Sequence, residues 1–104
     1  MIYEERSYLF QPANFQPFLV LFEKEGLEIM TSHLGGLVGY FTTEIGHLNT
    51  AVHIWAYSSF EDRLARREAL WKDPRWIAYS NKVMPWIVSM ESRLLRPTAF
   101  SPLQ

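Results

Sequence analysis

The period of apolar and polar positions changes several times along the chain, and each change marks a predicted element. Residues 2–11 alternate between two faces, as a β-strand does, and Pro12 is expected to end the strand. Beyond Asn14, the expected N-cap, apolar side chains recur at the spacing of one helix face. These side chains are Phe15, Phe18, Leu19 and Phe22, continued by Ile29 and Met30. Gly35 and Gly36 predict the end of this first helix.

The segments 37–45 and 50–57 predict a hairpin. Both are rich in β-branched and aromatic residues, and the turn that joins them is short, which is typical of an antiparallel pair. Ser58 and Glu61 have the spacing of a capping box and predict the start of a helix over 60–72.

The remaining elements are a short helix and a last strand. Asp73 followed by Pro74 predicts an N-cap and a first helical position, so a second piece of helix is expected over 75–84. Residues 86–95 predict the last strand, and the tail beyond Pro97 is expected to lie across the surface.

The element order is β-α-β-β-α-β with the second helix split, which is the order of the ferredoxin-like motif. Right-handed connections then predict an α+β domain with an antiparallel four-stranded sheet of order 4-1-3-2 and both helices on one face. A chain of 104 residues has the size of one domain, so residues 1–104 are predicted to form a single unit.

Helices on one side leave the other face of the sheet open, and alternation assigns residues to that face. Val52, Ile54 and Ala56 are predicted to point to the helices, as are Trp86, Val88 and Met90 in the last strand. The open face then receives His53, Trp55 and Tyr57, with Ile87, Ser89, Glu91 and Arg93, and with the polar set Glu4, Arg6 and Tyr8. In strand 37–45 the register stays open between the set of Tyr40, Thr42 and Glu44 and the alternating set that begins at Phe41.

An open face of this kind predicts assembly. A solvated sheet face would not carry large aromatic rings, and a core face would not carry several charges together. The mixture fits a closed space with polar lining, so a homodimer that packs sheet against sheet is expected.

Composition and charge mainly exclude functions. Aromatic residues make up 15% of the chain, and the net charge of −1 does not favour binding to nucleic acid or to an anionic membrane. Cysteine is absent, so disulfides, thiolate nucleophiles and cysteine metal sites are excluded. The sequence shows neither a signal peptide nor an apolar run long enough for a membrane span, so a cytoplasmic location is expected. No metal and no cofactor are expected, because the three histidines lack a metal-ligand spacing.

The candidate chemistry has a structural alternative in each case. His53 is a candidate general base for a small carbonyl or phenolic substrate, or else a histidine hydrogen-bonded at an interface. The charges Glu4, Arg6, Glu91 and Arg93 lie on neighbouring strands, where they could clamp an anionic substrate or form cross-strand ion pairs that fix the register of a dimer. The rings of Tyr8, Tyr40, Trp55 and Tyr57 could line a pocket for a flat apolar ligand or pack against a partner.

Several segments of the chain resemble the NIPSNAP family. They are YEERSY at 3–8, GYFTTEIG at 39–46, NTAVHIWAY at 49–57, RREAL at 66–70, DPRW at 73–76 and ESRLLRP at 91–97. The resemblance covers residues 2–100 and implies the dimeric α/β-barrel superfamily, in which two ferredoxin-like subunits pack their open faces into one barrel. Suggested roles of the family include vesicle-related and mitochondrial signalling functions.

Two classes of function follow from the residues and the resemblance. The first is a dimeric module that binds a small apolar ligand or a partner without catalysis. The second is a cofactor-independent enzyme of the monooxygenase or isomerase type, because the wider superfamily includes such enzymes beside heme-degrading enzymes and polyketide cyclases. In the second class His53 is the base, Arg6 or Arg93 clamps an anion, and Tyr40 or Trp55 forms a wall. Fold alone does not decide between them.

Overall fold

The computed structural model describes residues 1–104 as an α+β domain of two layers. One layer is a sheet of four strands: β1 (Ile2–Phe10), β2 (Gly36–Thr42), β3 (Thr50–Tyr57) and β4 (Ile87–Leu95). The other layer is helical: α1 (Pro12–Leu21), a π-helical turn (Phe22–Gly26), α2 (Leu27–Leu34), α3 (Phe60–Lys72), α4 (Pro74–Val83) and a 3₁₀ turn (Met84–Trp86).

The sheet has the predicted topology. Its order is β2-β3-β1-β4, and every neighbouring pair is antiparallel. All helices lie on one face, so the prediction of a ferredoxin-like fold is confirmed. The core lies between the two layers, where Phe10 and Trp55 of the sheet meet Phe18, Leu34 and other buried side chains of the helices.

The helix starts differ from the predictions in two of three cases. The first helix begins at Pro12 after Gln11 and not at Asn14, because proline suits the first helical position. The N-cap of α3 is Ser59 and not Ser58, and its hydroxyl accepts a 3.0 Å hydrogen bond from the backbone of Asp62. The N-cap of α4 is Asp73, as predicted, and it accepts from the backbone of Arg75.

The two central strands present the opposite faces to those predicted. His53, Trp55 and Tyr57 point to the helices, whereas Val52, Ile54 and Ala56 lie on the open face, and the assignment from the sequence was wrong. In β1 the helix side carries Glu4, Arg6 and Tyr8. The physical reason is that the helices supply partners for these polar groups. Arg63 of α3 reaches the Glu4 carboxylate, and Phe22 packs on Tyr40 beside His53.

The edge strands each contain one irregularity that alternation did not reveal. In β2 the register shifts between Leu37 and Gly39, and Tyr40 then points to the helices while Phe41 lies on the open face. In β4 the register shifts opposite Leu9 and Phe10, so Ile87 and Met90 both point inward. Ile87 was therefore predicted on the wrong face, and Val88, which was expected to point inward, is 57% exposed. Ser89, Glu91 and Arg93 lie on the open face, as predicted.

The C-terminal tail lies across part of the open face. The Tyr3 hydroxyl donates a 2.8 Å hydrogen bond to the backbone oxygen of Gln104, and Leu103 lies near Ile54. The rest of this face is uncovered, with Val38 and Phe41 exposed along β2. None of the helices has the length and apolar character that crossing a membrane requires.

Candidate functional site

A cavity of about 60 Å³ lies between the sheet and the helices. The sheet contributes the side chains of Arg6, Tyr8, Tyr40, His53, Ile87 and Met90 to its lining. The helices contribute Phe18, Phe22, Met30, Arg67, Trp71, Trp76, Tyr79, Ser80, Val83 and Met84. The lining is thus mostly apolar and aromatic with a few polar groups, which is the composition of small-molecule sites.

The opening of the cavity is apolar. Trp71 of α3, Met84 of the 3₁₀ turn and Met90 of β4 are 45%, 46% and 41% exposed, although all three line the cavity. Exposed thioether and indole groups around a concavity present an adaptable apolar surface. An apolar molecule can therefore contact the opening without displacing a charged side chain.

His53 lies at the base of the cavity and is fully buried. Its Nδ1 accepts a 2.7 Å hydrogen bond from the indole Nε1 of Trp55, which assigns the proton of the neutral ring to Nε2. Burial and the charge of Arg6 lower the pKa of His53 to about 3, so the ring is neutral near pH 7. Nε2 has no hydrogen-bond partner. At neutral pH Nε2 of His53 is thus a free hydrogen-bond donor, whereas the basic nitrogen Nδ1 already accepts a hydrogen bond from Trp55.

Aromatic rings hold the imidazole in place. The ring of Tyr40 stacks on His53 with centroids 4.6 Å apart, and Tyr8 meets it edge-on at 4.9 Å. Phe22 packs on the other side of Tyr40 at 4.7 Å. Burial raises the pKa of the Tyr40 hydroxyl well above its usual range, so this phenol stays protonated.

Glu4 is the centre of a buried charge network beside the cavity. Its carboxylate accepts hydrogen bonds from Arg6 at 2.7 Å, from Arg63 at 2.8 and 3.1 Å, and from the Ser92 hydroxyl at 2.6 Å. Burial raises the pKa of Glu4, but the bonds from Arg63 and Ser92 and the charge of Arg6 outweigh it and lower the pKa to about 2. Arg6 also donates from Nε to the hydroxyl of Tyr8 at 2.8 Å.

Arg67 lines the same cavity and makes no ion pair with a carboxylate. Its Nη1 is buried without a hydrogen-bond partner, and its guanidinium lies beside the Tyr57 hydroxyl, which is also buried and unpartnered. Burial and the neighbouring charge of Arg6 lower the pKa of Arg67 from its usual value, although the guanidinium remains charged at physiological pH. Two further polar atoms of lining residues are buried and unpartnered, the indole Nε1 of Trp76 and the hydroxyl of Tyr79.

The π-helical turn makes room for one wall of the cavity. A Cβ on Gly26 would lie 2.6 Å from Cζ of Tyr79 and 2.8 Å from the ring of Phe22, so only glycine fits between these two rings. The turn interrupts the helix where Phe22 packs against Tyr40. Such turns are frequent at functional sites.

The structure brings together some of the predicted site residues and separates others. Arg6, Tyr8, Tyr40 and His53 line the cavity, with Glu4 bound to Arg6 and Trp55 bound to His53. Tyr57 is buried in the core without lining the cavity. Glu91 and Arg93 are far from it, because they lie on the opposite face, where Arg93 pairs with Glu5 at 3.2 Å. The predicted pairing of Glu4 and Arg6 with Glu91 and Arg93 is therefore wrong.

Sequence reasoning missed the helical half of the site. Arg67 lies in a run of charges along α3, and neither this residue nor Trp76 and Tyr79 of α4 was selected as a candidate. The available signal was the amphipathic spacing of Trp76, Tyr79 and Val83 in α4, which predicts that these residues face the sheet. No group of three or more His, Asp or Glu residues is placed so that it could hold a metal ion.

The fold defines a class of protein, the α+β domains of the ferredoxin-like type. An antibiotic biosynthesis monooxygenase shares this fold with a TM-score of 0.66 over 94% of this chain and 99% of its own chain. At 10% sequence identity the likeness concerns the fold alone.

The chain belongs to the NIPSNAP family, whose model matches residues 3–102. A NIPSNAP family protein with unknown function from Agrobacterium tumefaciens is 46% identical, with a TM-score of 0.96 over 100% of this chain and 94% of that chain. An uncharacterized NIPSNAP domain protein from Burkholderia xenovorans is 37% identical, with a TM-score of 0.93 over 98% and 99%. Among curated relatives, Protein NipSnap of Drosophila melanogaster is 35% identical over 99% of this chain.

The chain spans only part of the curated relatives that it matches. It covers 37% of the Drosophila protein. Protein NipSnap homolog 3A of Homo sapiens is 43% identical over 73% of this chain, and the match covers 30% of that protein.

Proposed function

We propose that this chain is a small-molecule-binding module, and that the ligand enters the cavity between the helices and the sheet. The observation that carries the proposal is the set of unpartnered polar groups in an aromatic cavity. His53, Arg67 and Trp76 line this one cavity, and each has a buried nitrogen without a hydrogen-bond partner. Buried polar groups in proteins are nearly always hydrogen-bonded, so such a concentration favours a site that a ligand completes.

The size of the cavity defines how a ligand sits. About 60 Å³ accommodates a polar group and a few further atoms, and not a complete aromatic metabolite. The polar end of the ligand therefore lies deep, while an apolar and flat body lies at the opening against Trp71, Met84 and Met90.

Native mass spectrometry on protein purified gently from its host tests the proposal, because it reports bound molecules and stoichiometry together. We expect a fixed mass increment that is lost when Met90 at the opening is replaced by the larger tryptophan. Leu94→Trp is the matched control, since Leu94 is 43% exposed on the same side of β4 but does not line the cavity. Protein without an increment, which also binds none of a set of small apolar acids and amides, would contradict the proposal.

We propose further that two copies pair through the open sheet face. Its central strand β3 presents Val52, Ile54 and Ala56, and its edge strands expose Phe41 and Val88 by 55% and 57%. A second copy has the same apolar surface, and in an isologous interface the two subunits pack through the same surface. The face also carries Glu5 and Arg93, whose opposite charges a two-fold partner can exchange.

Sedimentation velocity measures this assembly directly. A mass near two chains of 12.2 kDa at micromolar concentration is expected, and Ile54→Lys should give monomers with unchanged secondary structure. Wild-type protein that sediments as a monomer would contradict the dimer. A cytoplasmic location stays part of the proposal, and cell fractionation tests it.

A cofactor-independent enzyme is the second candidate, and the donors at the cavity base favour it. Nε2 of His53 and the Arg67 guanidinium could stabilise negative charge that develops on a substrate oxygen. In this role His53 is a donor and not the base that the sequence suggested. Incubation of the recovered ligand with the protein distinguishes the candidates, because an enzyme converts it and a binding module returns it unchanged.

A further inference from the structure

We infer that the cavity selects molecules with an anionic oxygen group, and that small apolar carboxylates are the class of ligand it binds. The inference rests on the proposed ligand-binding function and specifies which end of the ligand lies deep in the cavity. It depends on the hydrogen-bonding character and the charge of the groups around the cavity base.

All the unpartnered polar atoms of lining residues can donate hydrogen bonds. Nη1 of Arg67 and Nε1 of Trp76 are donors only, and Nε2 of His53 is a donor because its Nδ1 accepts from Trp55. The fourth atom, the hydroxyl of Tyr79, can also donate. The unpartnered side chains include no carboxylate or carbonyl, and their only acceptors are the hydroxyls of Tyr79 and of Tyr57, which lies beside Arg67. A ligand with acceptor oxygens therefore satisfies more of these groups than a ligand with donors.

Charge indicates that the acceptor is an anion. Glu4 is the carboxylate of the buried network, and its oxygens already accept from Arg6, Arg63 and Ser92. Its Oε2 alone accepts three of these bonds, so little capacity remains for Arg67. Three guanidinium groups thus surround one carboxylate, and Arg67 is the cation without a counter-charge. A water molecule or a carbonyl oxygen would accept a hydrogen bond but would leave this charge uncompensated.

The carboxylate group fits both the chemistry and the space. A guanidinium presents two parallel donors, which match the two oxygens of a carboxylate. The group is small enough for the enclosed part of the cavity, and the attached apolar body remains at the opening. A phosphate ester of the same shape would require more counter-charge than the single unpaired cation provides.

Isothermal titration calorimetry with matched acids and amides tests the inference. The probes are benzoate, 2-naphthoate and hexanoate, each compared at pH 7 with its primary amide, which has nearly the same shape and no charge. We expect the acids to bind at least about tenfold more tightly than the amides, as one additional charge-assisted hydrogen bond would give. Arg67→Gln should abolish this preference, and Arg67→Lys should retain part of it because the charge is kept.

Arg66→Gln is the matched control, because Arg66 lies on the same helix, pairs with Asp62 at 3.0 Å and does not line the cavity. It should leave the preference unchanged, and circular dichroism verifies that each variant is folded. Amides that bind as tightly as the acids would overturn the inference while leaving the binding function intact. Failure of every probe and the absence of a copurified ligand would overturn both.

Discussion

The indole nitrogen of Trp55 lies 2.7 Å from Nδ1 of His53, and this contact between two residues of one strand assigns the tautomer of the histidine. An indole N–H is only a donor, so Nδ1 must accept and Nε2 must carry the proton. The two rings lie nearly perpendicular, at 88°, which directs the indole edge at the imidazole. The residue that the sequence suggested as a base is thereby held as a neutral donor.

Burial of a neutral histidine has a consequence for stability. The pKa of His53 is about 3 in the folded chain, against 6.5 for a free side chain. Below pH 6.5 the unfolded chain binds a proton that the folded chain does not, so the stability of the folded state falls as the pH decreases. Glu4 adds to this fall only below pH 4.5, which is the pKa of its carboxyl group in the unfolded chain. Between pH 6.5 and 4.5 we therefore expect the fall in stability to come from His53.

We predict that His53→Gln flattens the pH dependence of stability in this interval, because glutamine keeps a donor but does not titrate. The free energy of unfolding of the wild type should fall by about 2 kcal/mol between the two pH values, at ~1.4 kcal/mol per pH unit. Urea unfolding at a series of pH values measures this. His47→Gln, in an exposed turn, should keep the wild-type slope. An unchanged slope in His53→Gln would show that His53 titrates normally.

Neighbouring glutamates of β1 should differ in their effect on stability. Glu4 is fully buried among Arg6 and Arg63, so Glu4→Gln leaves buried cations without a counter-charge and should cost about 3–5 kcal/mol. Glu5 pairs with Arg93, whose side chain is 64% exposed, and Glu5→Gln should cost less than about 1 kcal/mol. Urea unfolding at pH 7 compares the two variants. Similar losses for both would contradict the central role of Glu4.

Two glycines should respond differently to alanine. In Gly26→Ala the new methyl group meets the buried ring of Tyr79, and overpacking should cost about 1–3 kcal/mol. In Gly39→Ala the new methyl group meets only the ring of Phe41, which is 55% exposed and can rotate away. Thermal unfolding should therefore show a clear fall in Tm for Gly26→Ala alone. The double variant with Tyr79→Leu should recover part of the loss, and no recovery would point to the turn backbone instead.

The element order could be predicted from the sequence because it depends on local periods. The switch from alternation in β1 to the helical spacing of Phe15, Phe18 and Phe22 is a local signal, and so is the proline after Asp73. The sheet topology then followed from the handedness of the connections. These inferences needed no knowledge of which residues meet across the fold.

The faces of the sheet could not be predicted, because alternation separates two sets of residues without saying which is inside. Polarity suggested that Glu4 and Arg6 face outward, yet Arg63, which satisfies Glu4, lies 59 positions further along the chain. Burial of a charge depends on such distant partners. The bulge that turns Ile87 inward likewise left no signal in the sequence. The candidate residues around His53 therefore lie together, but on the helix side of the sheet and not on the open face.

Because side chains alternate along β3, every second residue points to the helices and the residues between them point to the open face. His53 and Trp55 serve the interior, while Val52 and Ile54 belong to the outer surface, and a shift by one residue would exchange them. Under the proposed ligand site and the proposed sheet-face dimer, substitutions along this strand should therefore change ligand occupancy and oligomeric mass at alternate positions. An insertion or deletion within the strand would alter both at once.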